Sequence, residues 1–106
     1  VEYDSDCKNN FNENLILNNI NNKICYYDQD VLKWNKFNYD LILANINFNI
    51  IVDLIPKFRG SNTKIILSGL LDIDYIKIKD HCSHNKMKII QKFQKGEWIC
   101  LIIDSF

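Results

Sequence analysis

The chain has 106 residues, thirteen basic and thirteen acidic, and no formal net charge. That length fits one small domain, and the charge balance offers no surplus to draw a nucleic acid or a membrane surface. No apolar run approaches the roughly 20 residues of a membrane helix, and no basic-then-apolar leader opens the chain. Four cysteines at irregular spacing predict free thiols in a reducing, cytoplasmic setting, with Cys25 and Cys100 expected to be buried in apolar runs.

In chain order, Val1 to Asp4 reads as the end of a strand, so the natural beginning is expected to lie upstream. Ser5 or Asp6 can cap a helix running to about Asn18. The Asn-rich stretch from Asn9 to Asn22 is interrupted by Phe11, Leu15, Ile16, Leu17 and Ile20, which predicts a folded helix with a polar face. Asn21 and Asn22 turn the chain. Lys23 to Tyr27 reads as a second strand, and Asp28 to Asn38 as a loop.

Tyr39 to Ala44 reads as a strand buried on both faces, of the kind found in parallel sheets. Asn45 closes it. Parallel sheets bind ligands at the carboxyl ends of their strands, and an amide there accepts through oxygen and donates through nitrogen. Residue 45 is therefore suited to an amine or amide substrate. Ile46, Ile50, Ile51, Leu54 and Phe58 recur at helical spacing and predict a helix from about Phe48 to Lys57, with Pro56 near its end. Gly60-Ser61-Asn62 is a turn and Lys64 to Leu67 a buried strand ended by Ser68-Gly69. Asp72 to about His81 reads as a helix with Ile73, Ile76 and Lys77 or Asp80 setting its faces. Met87 to Gln94 and Glu97 to Asp104 form a hairpin about Lys95-Gly96. The alternation predicts a mostly parallel α/β sheet with helices on both faces and one antiparallel pair at the edge, in a single domain.

Several short motifs in this order resemble one family. Val1-Glu2-Tyr3-Asp4 matches an apolar-acid-apolar-Asp strand end, and Glu13-Asn14 with Asn18 matches a helix signature. Leu43-Ala44-Asn45-Ile46, Ser68-Gly69-Leu70-Leu71 and Gly96-Glu97-Trp98 match three strand-flanking motifs. Together they resemble the carboxyl-terminal part of the catalytic domain of the PrmA family, methyltransferases of ribosomal protein eleven of the large subunit. The resemblance implies a class I, Rossmann-like sheet with a carboxyl-terminal antiparallel hairpin, lacking the family's first strand and Gly-rich loop. It implies S-adenosyl-L-methionine as cofactor and amines of that ribosomal protein as substrate, with no direct nucleic-acid partner. The alternatives are a non-catalytic truncated remnant and a related RNA or glutamine methyltransferase.

By this resemblance Glu2 accepts from the ribose hydroxyls, the other reading being a solvated acid. Tyr3 lies against the adenine or packs in its strand. Asp30 accepts from the adenine amine or caps the turn before Val31. Asn45 is the catalytic residue, aiming the substrate amine and touching the cofactor's amino-acid portion; the other reading is a loop cap. Glu2 and Asn45 are expected to converge at one rim of the sheet. The sequence departs from the family at Asn47-Phe48 and at Arg59-Gly60-Ser61-Asn62, which, with the absent Gly-rich loop, predicts weak cofactor binding. Trp34 and Trp98 read as packing residues, Asn14 and Asn18 as structural, and His81, Cys82 and His84 as a solvated helix end.

Overall fold

The structure is a computed structural model, and it describes residues 1–20 and 22–106. It divides into two compact units, Val1–Trp34 and Asn35–Phe106.

In the first unit, helix α1 (Cys7–Leu17) follows Asp6 and buries Leu15. The Phe11 ring lies 4.9 Å from that of Tyr26. The two strands expected here reduce to a single parallel bridge between Glu2 and Asp28. It is held by Glu2 N–H to the Tyr27 carbonyl and Gln29 N–H to the Glu2 carbonyl, both 3.0 Å. The reason is cooperative: two short parallel segments without further strands bury too little to hold a ladder. Ile24 and Tyr27 are exposed accordingly. Cys25 is exposed as well, against expectation. Of the turn predicted at residues 21 and 22, Asn21 lies outside the described residues.

The second unit is built on four strands: β1 (Leu41–Asn45), β2 (Lys64–Leu71), β3 (Met87–Lys95) and β4 (Trp98–Ser105). Their order is β1-β2-β4-β3. β1 runs parallel to β2, while β4 runs antiparallel to both β2 and β3. The hairpin's second strand therefore enters the sheet interior, and two of the three strand pairs are antiparallel rather than one. A tight hairpin fixes only that β3 and β4 are neighbours. Which of them joins β2 depends on burial, and Ile99, Leu101 and Ile103 give β4 the more apolar alternate face.

Helix α2 (Phe48–Phe58) starts at Asn47, whose side-chain oxygen accepts from Ile50 N–H at 3.2 Å. Its Ile51, Leu54, Ile55 and Phe58 are buried together with Ile65, Leu67, Leu101 and Ile103. Pro56 sits in the last turn, where it removes one hydrogen bond to the preceding turn and few residues remain for its ring to displace. Helix α3 (Tyr75–His84) follows a 3-10 turn at Asp72–Asp74. That turn displaces the helix start, so Ile78 and Cys82 face the core, while Ile73 and Ile76, read as setting the helix faces, are exposed. Both helices serve one side of the sheet. The other side carries Leu43, Ile66 and Ile102 in one cross-strand row, and Leu43 is 70% exposed. β1 is thus covered on one face only, because both helices lie on the same side of the sheet. Trp98 is 54% exposed and is not a packing residue, and Cys100 is only half-buried. No helix among the described residues is long and apolar enough to cross a membrane.

Candidate functional site

Asn45 is the last residue of β1 and pairs in parallel register with Ser68. The pairing is extended by Ile46 N–H donating to the Ser68 carbonyl at 3.4 Å. Opposite β4, Leu67 pairs with Leu101 and Leu70 with Ile99, so Ser68 and Gly69 face the single residue Cys100. This is a β-bulge, a device that locally bends a strand and re-aims its side chains.

Gly69 has φ +75°, a conformation open to glycine at little cost. A Cβ built on it would collide with Asn45 Oδ1 and stand 3.5 Å from Asn45 Cγ and 3.6 Å from Ile46 N. The Asn45 amide therefore occupies the space that a side chain at position 69 would fill. Capping the following helix falls to Asn47, two residues on, and Asn45 is exposed at the strand's carboxyl end.

Just past the bulge stands a charged cluster that the sequence did not disclose. Lys92 Nζ donates to Asp72 Oδ1 at 2.6 Å and lies 4.4 Å from the Tyr75 ring centroid. The Lys92 hydrogen bond holds the Asp72 carboxyl below the usual carboxylate range, against an opposing push from partial burial and with help from the Lys92 charge and a Gln94 hydrogen bond. Lys77 Nζ stands 5.7 Å from the ring centroid of Phe48, at the start of α2.

The other three predicted residues lie in the first unit. Glu2 is half-buried, and its Oε1 accepts from both Tyr3 N–H and Asp4 N–H at 2.9 Å. Tyr3 is 76% exposed, so it does not pack in a strand. Asp30 Oδ1 accepts from Leu32 N–H at 2.9 Å and caps the 3-10 turn Val31–Lys33, as one of its two readings holds. The bridge of Glu2 to Asp28 sets Glu2 and Asp30 on neighbouring segments. The structure brings Asn45 together with Ser68 and Gly69. Ser68-Gly69, read as the end of the strand and as part of a motif, instead form a bulge inside it, and β2 continues to Leu71 because Leu70 and Leu71 pair again with β4. Of the residues read as a solvated helix end, Cys82 is instead buried in the core, and burial pushes its thiol up to about 11. His84 Nδ1 is bonded to the Asp80 carbonyl at 2.7 Å.

A parallel strand pair flanked by helices and continued by an antiparallel hairpin, with a polar residue at a strand's carboxyl end, defines half of a class I methyltransferase-like α/β fold. The sequence profile described as ribosomal protein L11 methyltransferase (PrmA) matches residues 1–105, and the chain belongs to that family. It is similar to the crystal structure of ribosomal protein L11 methylase from Lactobacillus delbrueckii subsp. bulgaricus, with a TM-score of 0.87 and 28% identity. That match covers 99% of this chain and 56% of the relative, so the chain spans about half the relative's length. No curated protein matches the chain.

Proposed function

We propose that the chain forms the carboxyl-terminal half of a cytoplasmic methyltransferase catalytic domain that uses S-adenosyl-L-methionine to methylate amines of a large-subunit ribosomal protein. One observation carries the reading: the exposed Asn45 amide, at the carboxyl end of β1, lies against the bare backbone of Gly69. That arrangement suits a substrate and a nucleoside cofactor approaching together, and family membership supports it.

The cofactor, when bound, supplies an electrophilic methyl group on a sulfonium. The chain's part is positioning, which can lower a barrier by several kcal/mol when the reacting atoms are held in line. Asn45 Oδ1 accepts an N–H of the neutral substrate amine and so aims the nitrogen lone pair. Its amide also reaches the amino-acid portion of the cofactor. Glu2 Oε1 is committed to two backbone amides, which leaves Oε2 for a ribose hydroxyl. The exposed Tyr3 ring is available to the adenine face, and the second oxygen of Asp30 to its amine. A second reading, a binding-only remnant, is favoured by the weak local order around Glu2, which is one bridge rather than a strand.

The test is a graft. Residues 1–105 replace the matching segment of the Lactobacillus methylase, and labelled methyl transfer to that enzyme's ribosomal substrate is measured. Transfer is expected, and Asn45→Ala should reduce it on the order of 10²-fold, the cost of misplacing a reacting atom. A folded graft that binds S-adenosylhomocysteine yet transfers no methyl overturns the enzyme reading in favour of the remnant.

A further inference from the structure

Past the bulge, the β2–β4 ladder is short. It consists of Leu70 opposite Ile99, Leu71 opposite Trp98, and Asp72 N–H donating to the Glu97 carbonyl at 2.8 Å. A bulge interrupts a ladder, so a stub of this kind is prone to fray back to the interruption. Fraying would release Gly69, and with it the room that the Asn45 amide occupies. The stub ends at Asp72, and Asp72 is held by Lys92, which reaches across from β3 and rests on the Tyr75 ring at the start of α3. One ammonium thus ties together the end of β2, the hairpin and the first turn of α3. Its side chain is 28% exposed, so the contact is partly shielded from water.

We propose that Lys92 is a positioning residue for the Asn45–Gly69 site, acting by clamping Asp72 so that the bulge keeps one shape. Its meaning for catalysis rests on the methyltransferase reading; the clamp itself does not. Lys92 touches neither Asn45 nor a reacting atom in this scheme, and its effect passes through the strand.

The test uses the 106-residue chain without ligand. In 1H–15N spectra, Lys92→Met is expected to shift and broaden the Asn45 side-chain amide and the Gly69 backbone amide. Exchange protection of the Asp72 amide should fall about fivefold, the scale of one partly shielded ion pair. Ile65 and Ile103 should stay unchanged, and Lys92→Arg should restore the native signals. Asp72→Asn, which breaks the ion pair from the other side, should reproduce the pattern if Lys92→Met fails to fold. Unchanged Asn45 and Gly69 signals overturn the proposal, and so does a change spread equally over Ile65 and Ile103, which would mark general loosening. Because no cofactor is involved, these outcomes are independent of whether the graft transfers methyl groups.

Discussion

Residues 24–27, Ile-Cys-Tyr-Tyr, and residues 65–67, Ile-Ile-Leu, are both short apolar runs, yet they end in opposite states. The first lies in the unit Val1–Trp34, where it precedes the Glu2–Asp28 bridge, lends it the Tyr27 carbonyl as acceptor for Glu2 N–H, and leaves Ile24, Cys25 and Tyr27 exposed. The second lies in β2, paired on both edges, with Ile65 and Leu67 fully buried. The difference is in neighbours rather than composition. A strand gains stability from pairs on each side and from a layer over one face. β2 has two partner strands and a helical layer, whereas residues 24–27 lie beside the segment about Glu2 and meet single rings, Phe11 against Tyr26 and Trp34 against Tyr27. The lesson extends to the site. Asn45 is held at the end of a five-residue ladder to β2, while Glu2 stands beside a single bridge.

The largest contrast between the two units should appear in thiol labelling. At pH 8, Cys25 is expected to react rapidly with a disulfide reagent. Cys82, neutral and buried, should be protected by several decades, because its modification waits for the core to open. Comparable rates at the two thiols would erase the distinction drawn between the units. Next in size is Phe58→Ala. Its ring packs edge-on against Phe37 with centroids 5.2 Å apart, at 1% exposure, and the deletion should cost about 3–5 kcal/mol in urea unfolding. A cost under about 1 kcal/mol would mean that the second unit is no better packed than the first. The smallest effect is expected from Gly69→Ala. Strain at positive φ should cost about 1–2 kcal/mol, and the new methyl should displace the Asn45 amide. The Asn45 side-chain resonance reports that displacement directly, and an unmoved signal would break the link between the bulge and the site.

Much of the second unit was legible in the chain itself. The apolar spacing of Ile51, Leu54 and Phe58 gave α2, and Gly96 gave the hairpin, where it adopts φ +60°. The fold class and the family followed from short motifs in fixed order, and Asn45 stands where its strand placed it. Asp30 at its turn was also foreseen as one of two readings.

The sequence by itself determined the elements whose signals are local: α1, though without the expected side-chain cap, α2, the first half of β2, the hairpin and its turn glycine, since periodicity and turn chemistry act within a few residues. Only the tertiary structure decided which hairpin strand joins β2, that α3 turns Ile78 and Cys82 inward, that Trp98 stays in solvent, and that Asp72 meets Lys92 twenty positions away. It also decided that the two amino-terminal segments meet in one bridge, Glu2 to Asp28, rather than in a ladder. Each of those outcomes depends on burial and pairing between distant segments, and no short window of sequence contains both partners.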